Sequence, residues 1–408
     1  MPDAAVPPSA PAPPLSSTTT GLDLRGRTAL LLVASLPVMA GAIVAPSLPA
    51  MREHFADHEN VDVLVRLLIA LPSVVIALTA PISGYIADRV GRKELLYGSL
   101  ALFIVGGSTG VYLDDLTLLL VGRLVLGAGM GGLMTATTAL VADFFVGAER
   151  QRFLGLQAAV MSLSAVVFLL SGGAVAQITW RGPFFAYLVP ILFVPIVVRG
   201  IPRPPPPSSF AGDGDAEPVP KVLLAVLFAI AHVGMNVFYL FPVQVPFLLR
   251  EHLSVSPLVA GGVVASTTLA SAIAALSFGR LRARFSAPTL LGAVFLIAGP
   301  ALFVVGNAPS LPIVFVAAFV AGLGFGLQMP VLTTWLTEVT PAPVRGRVLG
   351  GFSAAVFLGQ FMSPLVCTPI VRSQGLGGPT GLFAFGAVFS VVFGVVVYGV
   401  TRAMMKRR

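Results

Sequence analysis

The sequence predicts an all-α polytopic membrane protein of twelve transmembrane helices arranged as two pseudo-symmetric six-helix bundles. Three observations carry this. The 408 residues are 56% hydrophobic and only 10% charged, with a mean hydropathy of +0.94, whereas a soluble domain is about 25% charged. The apolar residues fall into runs near the ~20 residues that cross a bilayer as a helix. The second half of the chain repeats the spacing of the first.

In chain order, residues 1–24 form a tail rich in Pro, Ala, Ser and Thr, read as a disordered cytoplasmic segment; it has no cationic stretch followed by an apolar core, so it is not read as a signal peptide. Residues 25–200 form the first bundle, with spans expected near 28–45, 63–87, 95–112, 117–141, 153–176 and 184–198. Residues 201–220 carry Pro204 to Pro207 in a row, then Asp213, Asp215 and Glu217, the composition of an extended cytoplasmic linker. Residues 221–408 form the second bundle and a short basic tail, with spans expected near 222–248, 258–278, 288–306, 311–337, 348–370 and 381–401.

The repeat holds at one offset of 195 residues: Gly84 maps to Gly279, Arg89 to Arg284, and Gly127, Gly129 and Gly131 to Gly322, Gly324 and Gly326. Asp143, Arg150, Arg152 and Gly155 map to Glu338, Arg345, Arg347 and Gly350. Glycines coincide easily; an acid followed at fixed spacing by Arg-x-Arg, twice in register, does not. Lys and Arg concentrate in the segments on the side of the termini, leaving Arg52, Arg66, Arg181, Arg250 and Arg372 on the other and Arg123 within a span. That bias places both termini in the cytoplasm.

The net charge of +8 resides in these short loops, with no basic face interleaved with aromatics, so no nucleic-acid partner is expected. Cys367 stands alone, and His54, His58, His232 and His252 give no metal spacing beyond a weak surface pair at 54 and 58. Neither a metal nor a cofactor is expected. No nucleophile–base pair or paired carboxylates at depth suggest an enzyme.

The turn Gly84-Tyr-Ile-Ala-Asp88-Arg89-Val-Gly91-Arg92-Lys93 joins the second and third spans. Gly84 permits close helix approach, Gly91 a positive φ, and the cations hold the turn on the cytoplasmic side. Asp88 is placed to bond the positive N-terminus of a neighbouring helix. The pattern Gly-x-x-x-Asp-Arg-x-Gly-Arg-Lys resembles the signature loop of the major facilitator superfamily of secondary transporters, and Trp180-Arg181-Gly-Pro-Phe184-Phe185 resembles the turn opening its sixth helix. The resemblance implies the major facilitator fold, a substrate site between the bundles near the midplane, and the helix beginning near Arg347 as the neighbour that Asp88 clamps.

Arg123, about 9 Å into the fourth span at 1.5 Å per residue, should face a cavity or a partner. Arg123-x-x-x-Gly127-x-Gly129 resembles the motif of proton-coupled drug exporters, which implies a part in proton transfer. The competing reading is snorkelling to the outer interface. Its repeat mate is Ala318, so symmetric folding does not demand it. His232, Asn236 and Tyr239 share one face of the seventh span, a polar stripe suited to a hydrated cavity. Imidazole exchanges a proton near neutral pH, making His232 a candidate carrier, against the reading of a structural histidine. Gln157 and Gln328 are further cavity candidates. Thr135, Thr137 and Thr138 are weaker, since threonine can satisfy itself on its own helix. Asp143 with Arg150, and Glu338 with Arg345, read as inner-gate ion pairs, alongside Asp88, Arg89 and Arg92.

The sequence departs from the exporters in having no acid in the first span, and Phe168 and Leu169 where a Gly-Pro pair would precede Gly172-Gly173. The leading expectation is a monomeric, proton-coupled exporter of small amphipathic drugs or metabolites in a bacterial inner membrane, energised by the proton gradient. The alternative is a transporter of an anionic metabolite with Arg123 and His232 as counter-charges; a non-transporting scaffold is more remote.

Overall fold

A computed structural model describes residues 22–202, 220–341, 344–372 and 378–406. The tail through residue 21 and the charged, proline-rich part of the linker lie outside the described residues. Twelve helices there are long and apolar enough to cross a membrane. They are α1 Leu24–His54, α2 Val61–Arg89, α3 Arg92–Tyr112, α4 Leu116–Phe144, α5 Gly147–Ala176 and α6 Gly182–Gly200 in the first half. The second half holds α7 Lys221–Leu253, α8 Pro257–Arg282, α9 Ala287–Asn307, α10 Leu311–Val339, α11 Arg345–Arg372 and α12 Gly378–Met405. Both described ends therefore lie on one side, here the near side; the other is the far side.

Every expected span is present, and most are a few residues longer at each end. The extensions are polar turns, such as Gly147–Arg152 on α5, that continue a helix into the interface where hydropathy no longer signals it. Several helices are interrupted, and proline accounts for where. A proline removes the bond to the carbonyl four residues earlier and crowds it. The first segment of α1 ends at Ala42, four before Pro46; the first segment of α7 ends at Phe238, four before Pro242. In α10 the helix stops at Phe325, and Pro330 stands four beyond Gly326. Of the short far-side pieces that follow, Leu48–His54 of α1 buries Leu48, Pro49 and Met51, and Leu240–Leu253 of α7 buries most of its run from Leu240 to Leu249.

The repeat seen in the sequence is also a repeat of packing. Gly127 presses on Pro72 of α2, and its mate Gly322 on Thr267 of α8; Gly131 meets Ile76, and Gly326 meets Ser271. On the other flank Gly129 lies against Ser99 and Phe103 of α3, and Gly324 against Val294 and Ala298 of α9. Each partner is displaced by the same 195 residues as the glycines. A side chain at any of these positions would collide with a neighbouring helix, so α4 and α10 are the centres of their bundles.

The halves meet along α2 with α11 and α5 with α8. These seams are tight only toward the far side. Across the seam of α5 with α8, Gly173 abuts the backbone of Pro257 and Leu258, and Gly261 that of Leu169. Toward the near side Gly84 on α2, Gly155 on α5, Gly279 on α8 and Gly350 on α11 have open space where a side chain would be. The bundles are closed at the far side and splayed at the near side. Gly84, expected to seat a close neighbour, has none in this conformation because the seam it belongs to is open.

Candidate functional site

Between the halves lies a cavity of about 370 Å³ walled by α1, α2, α4 and α5 on one side and α7, α8 and α11 on the other. Its surface is made by Pro37 and Gly41, Ile69 and Ile76, three methionines (Met130, Met134, Met161), and Phe238, Phe241 and Phe357. Met side chains are flexible and polarisable, and aromatic rings offer flat apolar faces, so this wall adapts to varied apolar bodies. Among the described residues no Asp, Glu, Lys, Arg or His lines it; the polar contributors are Ser73, Tyr239, Thr267, Thr268 and Gln360.

Those polar groups are organised. Ser73 Oγ on α2 donates to Gln360 Oε1 on α11 at 2.9 Å, a hydrogen bond that crosses between the halves. Tyr239, at the interruption of α7, lies beside Ser73, and Gly41 opposite leaves room for its hydroxyl. Thr267 and Thr268 donate to their own helix at Val263 O and Val264 O, and so offer less to a ligand. Thr135, Thr137 and Thr138 do the same at Gly131, Leu133 and Met134, as expected of threonine in an apolar helix.

Of the cavity residues expected from sequence, the structure brings Tyr239 to the wall and places the others elsewhere. Arg123 is fully buried behind it. Its Nη1 donates to Tyr187 Oη and its Nη2 to Gly107 O, both at 3.1 Å, and the guanidinium lies 4.9 Å and 5.1 Å from the ring centres of Phe184 and Tyr187. Neither the cavity nor the interface receives it; a carbonyl, a phenol and two π faces enclose the charge. Tyr187 Oη in turn donates to Ala40 O at 2.9 Å, on the α1 turn that does line the cavity. Arg123 thus touches the site through one tyrosine and one backbone carbonyl.

His232 and Asn236 occupy the seam of α7 with α11. His232 Nδ1 is 3.2 Å from Ala355 O, and the Asn236 carbonyl accepts from Ser363 Oγ at 2.8 Å. Gln328 is buried and donates to Ile230 O and Ala231 O, tying α10 to α7. Gln157 is half-buried on α5, its Oε1 unpaired and off the cavity wall. The stripe on α7 was legible as polar, but which of its neighbours each residue meets depends on the tilt of α11.

The far side is sealed by charge as well as packing. Arg52 of α1 bonds Asp62 at 2.6 Å and Glu251 of α7 at 2.9 Å, and Arg250 of α7 faces Glu53 of α1 at 3.4 Å. Arg372 of α11 approaches Asp62 at 3.5 Å and Asn60 at 3.2 Å. Arg66 is the buried member, 2% exposed: Nη1 donates to Asp62 O at 2.7 Å, Nε to Gln244 Oε1 at 3.1 Å, and the guanidinium lies 4.0 Å from the ring centre of Phe247. Sequence reading placed these arginines on the far side but did not single them out, because their partners are distant in the chain. Outside this seal, on the first half alone, Asp114 accepts from His54 and pairs with Arg181. That hydrogen bond from His54, with the Arg181 charge, holds the Asp114 carboxyl below its ordinary value of 3.8.

On the near side each ion pair among the described residues stays within one half. Asp143 pairs with Arg92, Arg27 with Glu149, and Glu338 lies 3.8 Å from Arg282. The expected pairing of Asp143 with Arg150 and of Glu338 with Arg345 is not made: Arg150 is exposed, and Arg345 donates to Thr340 O at 3.2 Å. Asp88 is exposed and, among the described residues, has no partner; the expected contact with the start of α11 is not made in this conformation, in which the near seam is open. Gly91 has φ +123°, the backbone its turn needs, Arg89 stacks on Tyr85 at 4.6 Å, and Lys93 donates to Val198 O at 3.2 Å.

The sequence profile of the Major Facilitator Superfamily matches residues 30–231 and 226–407. The chain belongs to this superfamily. The 3-(3-hydroxy-phenyl)propionate transporter of Escherichia coli is 27% identical, the match covering 81% of each chain. The multidrug efflux pump LfrA of Mycolicibacterium smegmatis is 25% identical, covering 84% of this chain and 80% of the pump. Among solved structures, a bacterial homologue of the human lysosomal transporter Spinster, in an inward-facing and unoccupied conformation, superposes with a TM-score of 0.75 at 18% identity, covering 96% of this chain and 99% of that one. The protein is a multi-pass membrane transporter of the major facilitator fold, with relatives among both efflux pumps and metabolite transporters.

Proposed function

We propose that this transporter exports small amphipathic molecules in exchange for protons, by alternating access across a bacterial inner membrane with both termini in the cytoplasm. The observation that carries the reading is the uncharged cavity of methionine and phenylalanine between the two halves, a surface that takes apolar bodies of varied shape. In this reading the near side is cytoplasmic, the conformation is the one that loads substrate from within, and the far-side seal around Asp62 and Arg66 is the gate that opens for release. The excess of Lys and Arg on near-side segments supports that orientation.

Proton coupling enters through residues off the cavity. Arg123 is linked to the α1 wall by Tyr187, so protonation or substrate occupancy that shifts α1 would be felt at Arg123. His232, on the α7–α11 seam, is the group suited to carry the proton. The protein works as a monomer, with no cofactor besides the gradient. Uptake of an anionic metabolite is the second reading, favoured by the phenylpropionate transporter among the relatives. Its two expected counter-charges, Arg123 and His232, are both off the cavity wall, which weighs against it.

The test uses proteoliposomes loaded with a pH-sensitive dye. Addition of amphipathic compounds should move protons in wild type, and the response should be lost in His232→Ala and Arg123→Ala with reconstitution unchanged. A response to organic anions alone would overturn the export reading.

A further inference from the structure

The polar corner of the cavity says more about cargo than its apolar walls. Resting on the reading of this cavity as the substrate site, we infer that it selects molecules that are electrically neutral when bound, with an aromatic body and one hydrogen-bond-accepting oxygen, and that Gln360 is the residue that reads that oxygen.

Ser73 Oγ donates to Gln360 Oε1 at 2.9 Å. That bond uses the acceptor end of the amide and orients it. Among the described residues the two N–H donors of Gln360 have no partner, and Gln360 is half-buried on the wall. An amide nitrogen of this kind asks for an acceptor. Tyr239 lies beside the same Ser73 and brings a hydroxyl to the same corner. The unspent donors of the corner are therefore the Gln360 N–H groups on α11, flanked by the uncharged hydroxyls of Ser73 on α2 and Tyr239 on α7 and facing rings and thioethers.

Charge is what the site lacks. A carboxylate entering would leave water for donors with no cation near enough to compensate, since Arg123 is enclosed by Tyr187, Phe184 and Gly107. An ammonium would find no carboxylate, and its protons would face the N–H groups of Gln360. Either ion sheds its hydration without an opposite charge to repay it. A neutral carbonyl or hydroxyl meets the donors at far lower cost. Weak acids and bases would accordingly bind as their uncharged forms.

The experiment compares three ligands sharing one body: 3-phenylpropanamide, 3-phenylpropanoate and 3-phenylpropylammonium. Binding to the full-length protein in lipid nanodiscs is measured by equilibrium dialysis at pH 7. The amide should bind at least about tenfold more tightly than either ion. Gln360→Ala should weaken the amide by roughly 5- to 30-fold. Gln360→Glu, nearly isosteric, should move the preference to the ammonium. Equal or tighter binding of either ion to wild type, amide affinity unchanged in both variants, or binding of none of the three would overturn the proposal. Amide binding with the expected pattern but no proton movement in the liposome test would leave this assignment standing and sink the coupling to protons.

Discussion

Asp62→Asn should loosen the far-side seal by an amount that the geometry bounds. Asp62 receives Arg52 and Arg66 from its own half and Arg372 from the other. Only interactions lost on opening bias the two conformations. Arg52 keeps its bond to Glu251 across the seam after the substitution, so it contributes little. The Arg372 bridge, at 3.5 Å with both side chains part-exposed (43% and 24%), contributes about 0.5 kcal/mol as a screened pair. Arg66 is different. Its side chain is 3% exposed, and asparagine leaves its charge buried against Asp62 O, Gln244 and a phenyl ring, conditions that opening would relieve by hydration. A charge-assisted bond is worth about 1.5–3 kcal/mol, of which the share within one helix survives opening. The net bias is about 1–2 kcal/mol, or roughly a 5- to 30-fold rise in the far-side-open population. The reporter is Ala45→Cys in a Cys367→Ser background, because Ala45 is fully buried in the α1 turn beneath the seal. Its rate of labelling by a membrane-impermeant maleimide, applied from the far side, should rise by that factor. An unchanged rate with intact thermal stability would refute the assignment of Asp62 as the hub of the gate.

Three other outcomes follow from the same geometry. Tyr187→Phe removes the donor to Ala40 O and the acceptor of Arg123 while keeping the ring, so active transport should fall at least about tenfold with insertion retained, and Tm should drop because a buried guanidinium N–H and a buried carbonyl lose their partner; full activity would reduce the Arg123 chain to a structural tie. Asp88→Asn removes a group without partners in the near-open conformation, so it should raise near-side maleimide labelling of Met134→Cys by depopulating the other state, and no change would count against the clamp. For Asp114 the lowered carboxyl means its contribution is complete above the ordinary value of 3.8 and is lost as pH falls through the depressed one. Thermal-unfolding curves of wild type and Asp114→Asn should therefore stay separated above the ordinary value of 3.8 and converge only below it, as the depressed carboxyl takes up its proton; convergence near neutrality would show that the His54 bond does not hold the carboxylate.

How far the sequence carries depends on the range of the interaction. The spans were legible because membrane crossing is a local demand on about 20 residues, and the interruptions are local too, since Pro46 and Pro242 stand four residues past the ends of the segments they terminate. The repeat was legible because a fixed offset preserves the glycine contacts of α4 and α10. The gate was not: Arg52 and Glu251 are 199 residues apart, and nothing near either indicates the other. Arg123 shows a subtler limit. Its burial was foreseeable from its depth, but a guanidinium can be settled by a carbonyl and aromatic faces as well as by water, and only packing decides which. Gln360 carries the same signal as Gln157 and Gln328, a lone amide in an apolar span, and one-dimensional spacing cannot say which of three glutamines faces the cavity.

The distribution of charge gives the mechanism its shape. Among the described residues the Asp, Glu, Lys, Arg and His side chains lie toward the far side, at the near side, in the Arg123 enclosure or at the α7–α11 seam, and the cavity wall has none of them. A cargo that binds only neutral donors cannot drive gates by direct electrostatic contact with them; it must act by moving helices. Four helices touch both the cavity and the seal, and α2 and α11 do so as single helices; the other two are α1, through Gly41 and then Arg52 and Glu53, and α7, through Phe238 and then Gln244, Arg250 and Glu251. Both are interrupted between those two points, at Ala42 and Phe238. An interrupted helix can pivot its far-side piece more easily than a continuous one, because the proline there removes one of the backbone bonds that would transmit the tilt. The prolines at 46 and 242 therefore do more than end a helix. On the export reading they would place a joint between the proposed cargo site and the charges that close the far side, which is where a transporter with an uncharged cavity needs one.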